Sequence, residues 1–463
     1  MYSQAQIDPV ISFRSTQGQA VRGTIVKLQK KSLVMELYNP DSIVRVSEML
    51  SELTIRRGGK TAYVGKAVVI SMLNTGLTAV VSATLTDEWY ELNDVARVPG
   101  AVGREARGFV REWGERSHIR RDYQIVVNEM RSYLSGVARW VEQIDMSDSL
   151  PKTDGRLRTD VFDELAAPLM EKTQFYLGQL ENEAALVEGE MAPSHRAYAQ
   201  AALHPLILRA PFVFRTYTKP LGYAGDYQMV NQLLDEPRQG PSTYFQIVNK
   251  AFLQTAVAAA HRNRIDILVD FLKDLADQAR RENTVLRVLN VGCGPAVEVQ
   301  RFLQTYPHPE VLSFELLDFS EETLNWTERA LSAIVARIGK PVNIRYTRDS
   351  VQHLLKRRVG AAAAVPDKVD AAYCAGLFDY LSDKVCARLM AHFAGRITAG
   401  GRMLVTNVHS DNPGKFGMEH LLEWHLIYRD EAGLTALLPP QSRQRKVYVD
   451  VTGVNLFADV RLP

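Results

Sequence analysis

The residues best suited to chemistry in this chain are Gly292, Cys293 and Gly294, which close the apolar run VLRVLNV and precede a helical pattern. Two glycines one residue apart let the backbone turn sharply with no Cβ in the way. The turn offers bare backbone and a helix N-terminus to a nucleoside-sized ligand, and would suit a dinucleotide equally well. A second apolar run, VLSFELL, ends in Asp318-Phe319. A carboxylate at such a strand tip can grip ribose hydroxyls. It could also begin the next helix, although Ser320 is itself a good cap. A third strand, VNIRY, leads into Asp349-Ser350 and a further helix, where Asp349 could serve a ligand or cap the helix.

Further candidates follow the later strands. CAGLFDYLSD, 374–383, lies after a fourth strand and includes Ala375 and Phe378. Leu377 and Phe378 suit a ligand cleft or ordinary packing. In NVHSDNP, Asn407 and His409 leave a fifth strand, where reacting groups gather on a sheet of this kind; His409 is either catalytic or structural. MEHLLEWHLIYRD, 418–430, reads as a helix placing Leu421, Trp424, His425 and Tyr428 on one face, either a substrate wall or core. Arg429 could meet a substrate carboxylate or be solvated near that helix's C-terminus. Upstream, RTYTKPLGYAGDYQMV packs three tyrosines and two glycines into one short stretch. Tyr217, Tyr223 and Asp226 are candidates for closing over a ligand; a sealing turn is the plainer alternative. Arg215, Tyr223 and His409 could orient an anionic group, and His409 or Asp226 could act as a base.

Composition limits the classes open to the chain. Its 463 residues predict two or three domains, and 46% hydrophobic with 23% charged residues is the balance of a soluble globular protein. A net charge of +2 without a long basic run gives no footprint for nucleic acid. No apolar stretch approaches the ~18–20 residues of a membrane span. MYSQAQIDPVISF lacks the form of a secretion signal. The three cysteines, Cys293, Cys374 and Cys386, have neither zinc spacing nor a disulfide pattern. A reduced, cytoplasmic protein without a metal site is the expectation.

Period and punctuation divide the chain at about 92 and 200. In 1–92, QAVRGTIVKLQ, SLVMELY, SIVRV, AYVGKAVVISML and LTAVVSATL alternate in twos between turn residues and predict a small antiparallel barrel. In 93–200, apolar residues three and four apart predict amphipathic helices that form a bundle, a hinge or a dimer surface. From 201, helices (the lid, 201–280) lead into alternating strand and helix, closed by a hairpin around Thr452-Gly453.

The barrel segment resembles PilZ domains, which often bind cyclic di-GMP. LQKKSLVMEL keeps Ser32 of their Asp/Asn-x-Ser-x-x-Gly turn but lacks the acid or amide and the glycine. Arg14 and Arg22 would stand in for the arginines. A degenerate barrel used for packing or dimerisation is the alternative to a cyclic di-GMP or protein-partner site. The order glycine loop, strand-end Asp318, Asp349-Ser350 resembles the class I S-adenosylmethionine methyltransferases. Taken with RTYTKPLGYAGDY, AGLFDYLSD, NVHSDNP and EWHLIYRD, residues 200–463 resemble the PhcB-type family, whose named member makes 3-hydroxypalmitic acid methyl ester, a quorum signal.

The resemblance implies an α/β fold, a Rossmann-like seven-stranded domain preceded by the barrel and the helices. It implies S-adenosylmethionine held by Gly292, Cys293, Gly294, Asp318, Phe319, Asp349 at the adenine amino group, Ser350 and Ala375. It further implies a carboxylate acceptor, a 3-hydroxy fatty acid with its acyl chain, contacted by Arg215, Tyr217, Phe378, Tyr428 and Arg429, with Tyr223, Asp226 and His409 at the reacting centre. Two other readings stay open: a cyclic di-GMP or partner sensor on a methyltransferase-like scaffold, and a protein carboxyl methyltransferase. A homodimer through the helical middle is compatible with each.

Overall fold

The computed structural model describes residues 10–15, 20–28, 31–37, 44–57, 60–74, 79–87, 103, 107, 110, 119–147, 150–189, 191–356 and 368–463. Most of the segment 88–118, including the start of the first expected helix, lies outside them. The chain forms two compact units. One comprises Met1–Ala224, Glu236–Thr255 and Gly414–His425, the other Gly225–Asp235, Ala256–Pro413 and Leu426–Pro463.

In the first unit, strands β1 (Val10–Arg14), β2 (Ala20–Leu28), β3 (Ser32–Leu37), β4 (Met49–Arg57), β5 (Lys60–Asn74) and β6 (Ala79–Leu85) close into an antiparallel barrel of order β1-β2-β3-β6-β5-β4. Closure leaves no unpaired strand edge. Alternation fills the interior: Leu33, Met35 and Leu37 point inward from β3, facing Ile11, Phe13, Val21, Ile55 and Val81. The expected strand SIVRV is not one among the described residues. Val44 and Val46 are buried in a non-strand segment, and the fourth strand is MLSELTIRR instead. Its alternation is broken at Glu52, which takes a φ of 53° while the pairing with β5 shifts between Leu50 and Leu53. A bulge of this kind offsets the period of two that marks a strand. Arg14 is ion-paired to Glu52.

Helices complete this unit. Arg121–Met146 buries Tyr123, Val127, Met130, Leu134, Val137 and Val141, an apolar stripe at spacings of three and four. A two-residue ribbon, β7 (Lys152–Thr153) with β8 (Arg156–Leu157), turns at Asp154-Gly155 and leads into Thr159–Ala185. Ala192–Ile207, Pro211–Thr218, Thr243–Leu253 and Lys415–Leu422 follow. The last of these corrects the helix expected over 418–430. It stops at Leu422, where Glu423 adopts the left-handed conformation and the Trp424 N–H reaches back to the Met418 carbonyl. Residues 424–429 run without helix, so Leu421, Trp424, His425 and Tyr428 share no helical face.

The second unit is built on seven strands: β9 (Leu286–Val291), β10 (Leu312–Asp318), β11 (Ile344–Arg348), β12 (Val369–Cys374), β13 (Ile397–Val408), β14 (Arg443–Val449) and β15 (Asn455–Arg461). Their order is β11-β10-β9-β12-β13-β15-β14, with β9 to β13 parallel and β15 antiparallel to both neighbours. This is the expected Rossmann-like architecture. The chain winds outward from β9 in both directions, so the topological switch lies between β9 and β12, where ligands bind on open α/β sheets. Helix Ala256–Glu282 packs Leu268, Phe271, Leu272 and Leu275 into a core shared with Val288, Phe302, Phe314 and Tyr373.

The start of β13 sets a tight constraint. A Cβ on Gly401 would fall 2.5 Å from the Asp370 carbonyl oxygen and 2.5 Å from Ile397 Cγ2. Gly401→Ala is therefore expected to lower stability by about 1–3 kcal/mol in urea denaturation, and an unchanged midpoint would contradict this packing.

Candidate active site

The glycine elbow forms because three successive turns of backbone need positive φ. Gly292 takes +73°, Gly294 +51° and Ala296 +47°. The Gly292 and Cys293 N–H groups both donate to the Leu317 carbonyl, at 2.8 and 3.0 Å, tying the elbow to the end of β10. A Cβ on Gly292 would press Leu377 at 3.3 Å, whereas one on Gly294 would meet nothing within 4 Å. Gly294 thus faces open space. Cys293 is buried, and burial pushes its thiol well up, so it is no nucleophile.

Asp318 completes the elbow. Its Oδ2 accepts the Gly294 N–H at 3.2 Å and its Oδ1 the Ser320 N–H at 2.9 Å. The cap of the following helix, Glu321–Ile338, is Ser320, whose side chain accepts the Thr323 N–H. Asp318 is therefore not consumed as that cap. Next to it, the Asp349 N–H donates to the Asp318 carbonyl at 3.1 Å, and Asp349 Oδ1 accepts the Ser350 N–H at 2.8 Å. Asp349 is buried; Phe319, Ser350 and Ala375 are half-buried.

A loop after β12 walls the switch point. The Gly376 N–H donates to Thr406 Oγ1, and Gly376 takes a φ of +87°. Tyr380 places its hydroxyl 2.8 Å from where a Cβ on Gly225 would stand, which explains the glycine in GYAGDY. Asp379 accepts the Val408 N–H through Oδ1 at 2.6 Å, and its carbonyl accepts the Ile427 N–H. Burial pushes its carboxyl up to about 6, opposed by Arg264, the Val408 N–H and Arg429. Asp379 was not among the expected site residues, although an acid in the apolar run after the fourth strand was the available signal.

Other expected residues have structural partners. Phe378 is fully buried. Arg429 is not solvated at a helix end: its guanidinium binds Asp383, the Phe378 and Leu381 carbonyls and Asn407 Oδ1, stitching the wall loop to β13. His409 meets Glu431 through Nε2 at 3.2 Å and accepts the Asp411 N–H at Nδ1. Asp226 caps helix Tyr227–Leu234 by accepting the Met229 N–H. Tyr428 is half-buried. No cluster of metal ligands occurs among the described residues.

Arg215, Tyr217 and Tyr223 belong to the first unit. Tyr217 lies edge-on to His204, ring centroids 4.5 Å apart. Lys219 Nζ, 2% exposed, donates to the Leu422 carbonyl at 2.9 Å, and burial pulls it down to about 7 against the pull of Glu423. Glu423 itself is held by Arg196 at 3.3 Å, Gln200 and His425, and its carboxyl lies far below the usual range despite burial. His420 Nδ1 pairs with the Tyr123 hydroxyl at 2.8 Å, and burial pulls that imidazole down to about 3. The local pattern shows only His425 beside Glu423, because Arg196 and Gln200 come from another part of the chain.

No family model matches this chain, and no curated protein matches it. Among solved structures it is similar to a possible exported protein from Bordetella parapertussis, at 15% identity over 74% of this chain and 96% of that one, TM-score 0.41. It is similar to magnesium protoporphyrin IX methyltransferase from Synechocystis PCC 6803 with bound SAH, at 12% identity over 54% of this chain and 98% of that one, TM-score 0.37. A third likeness is to the N-methyltransferase NodS from Bradyrhizobium japonicum WM9 with S-adenosylhomocysteine, at 14% identity over 41% and 87%, TM-score 0.27. Likenesses at this level carry neither substrate nor activity to this chain.

The His420 geometry predicts acid sensitivity. The unfolded chain takes up a proton near the ordinary histidine value of ~6.5, while folded His420 does so only near 3. Stability therefore falls as pH drops through that window. In urea titrations between pH 7 and 4, His420→Gln is expected to reduce the pH slope by up to about 1.4 kcal/mol per unit; equal slopes would contradict the assignment.

Proposed function

We propose that this chain is an enzyme that transfers a methyl group from S-adenosylmethionine to the carboxylate of a small molecule, such as a 3-hydroxy fatty acid. The observation that carries the reading is the Gly294 N–H bond to Asp318 Oδ2 at the open side of the elbow. An open face without a Cβ, beside a buried carboxylate at a strand end, suits an adenosyl ligand whose ribose hydroxyls need an acceptor. Gly292, Cys293 and Gly294 would line its amino-acid end and Asp318 its ribose hydroxyls. Phe319, Asp349, Ser350 and Ala375 would flank its base. When bound, it supplies an activated methyl group.

The chain's own residues then have two tasks, alignment and exclusion of water. Alignment of the reacting atoms is a proximity effect worth up to ~7–11 kcal/mol. A carboxylate acceptor with a pKa near ~4 needs no base. That suits a site in which His409 has both ring nitrogens engaged and Asp226 caps a helix. Tyr428, half-buried in the second unit, is a proposed acceptor contact. Three buried, free thiols suit a reducing, cytoplasmic setting, and among the described residues no helix is long and apolar enough to cross a membrane.

Asp318→Ala is expected to weaken S-adenosylhomocysteine binding at least 100-fold by calorimetry while the far-ultraviolet circular dichroism stays the same. Unchanged affinity would remove the ribose assignment. Melting curves with S-adenosylmethionine and with cyclic di-GMP separate the enzyme from a nucleotide sensor: a shift with the first ligand alone is expected, and a shift with the dinucleotide alone would overturn the proposal.

A further inference from the structure

One half-buried cation at the ligand edge of the second unit has no role in the mechanism above. Arg264 lies in the early turns of helix Ala256–Glu282. Its guanidinium packs on Gly376, with Nη2, Cζ and Nη1 at 3.3, 3.4 and 3.4 Å from the position a Cβ would take there. Any larger residue at 376 would displace it. The next residue, Leu377, is the one that contacts Gly292, so the guanidinium sits one residue away from the wall of the glycine elbow.

Four groups with negative character face it: Asp379, Tyr380, Glu298 and Asp450. His261 on the same helix faces it as well. The three acids are engaged elsewhere. Asp379 Oδ1 holds the Val408 N–H. Glu298 Oε1 accepts from the Tyr373 hydroxyl at 2.7 Å and from Asn290 at 3.1 Å, and burial pushes Glu298 up towards its neutral form. Asp450 accepts from Asn263, Thr452 and the Val454 and Asn455 N–H groups. Among the described residues Arg264 itself forms no ion pair and no hydrogen bond. A guanidinium carries five donors in a planar fork that matches a carboxylate. Here that fork is held flat on a glycine at the switch point, with its acidic neighbours spoken for.

We propose that Arg264 binds the carboxylate of a ligand seated over the Gly292–Gly294 elbow. The inference rests on the cofactor reading above. Two ligands could bring that carboxylate, the amino-acid end of S-adenosylmethionine or the methyl acceptor. In both cases the guanidinium orients the ligand through a paired, charge-assisted contact.

The test uses the full chain and two substitutions, Arg264→Gln and Arg264→Lys, with calorimetry on S-adenosylhomocysteine and on 5′-methylthioadenosine, which lacks the amino-acid carboxylate. If the cofactor supplies the carboxylate, R264Q weakens S-adenosylhomocysteine about 10–100-fold and leaves 5′-methylthioadenosine unchanged, while R264K recovers part of the loss. If the acceptor supplies it, both adenosyl ligands bind R264Q normally, and octanoate binding to the S-adenosylhomocysteine complex is lost by saturation-transfer NMR. Equal binding of all three probes to wild type and R264Q overturns the inference and leaves the cofactor reading standing. Equal weakening of both adenosyl ligands together with a lowered melting temperature also overturns it, because Arg264 would then be structural. Should R264Q not fold, R264K decides on the same probes. A wild-type chain that binds neither adenosyl ligand removes the cofactor reading and this inference together.

Discussion

The second unit depends on one hydrogen bond, from the Gly294 N–H to Asp318 Oδ2. It joins the ends of two parallel strands through a loop that only residues tolerant of positive φ can form. It holds the carboxylate in place by a backbone N–H. Two backbone N–H groups, of Gly294 and Ser320, thus fix the position of the carboxylate. The neighbouring Asp349 N–H bond to the Asp318 carbonyl extends the arrangement to a third strand end.

Around that elbow the structure uses buried charge to hold loops that have no regular secondary structure. Arg429 gathers two carbonyls, an amide and a carboxylate, and so fixes the segment after β12 against β13. Asp379 fastens the same segment from the other side through the Val408 N–H. Burying such groups is costly unless their partners are complete. Here the carbonyl, amide and carboxylate partners of Arg429 fix the segment after β12 without regular secondary structure. The Glu423 cluster does the same in the first unit, where Arg196, Gln200 and His425 hold the residue that ends a helix.

Much of the fold was legible because parallel strands buried on both faces read as apolar runs. LRVLNV, LSFELLD and VDAAYC announce themselves, and the elbow and strand-end acids follow by position. What was hidden depends on distant residues. β4 escaped because the bulge at Glu52 breaks its alternation. The helix after Gly414 looked longer than it is because its stop is set by side chains near 196 and 200. Arg429 and Asp379 acquire their roles only once 378–383 and 407–408 are brought together. Gly225 and Gly376 needed the Tyr380 hydroxyl and the Arg264 guanidinium to explain them.

The division of the chain has a consequence for its synthesis. The first unit takes its final piece, Gly414–His425, from far downstream of its barrel and long helices. On the ribosome that unit cannot finish packing until most of the second has emerged. His420 and Glu423, which meet Tyr123 and Arg196, arrive late. Until then Arg196 waits without its carboxylate. A shortened product ending before Glu423 would leave the buried Arg196 without its carboxylate in what becomes the interior of the first unit.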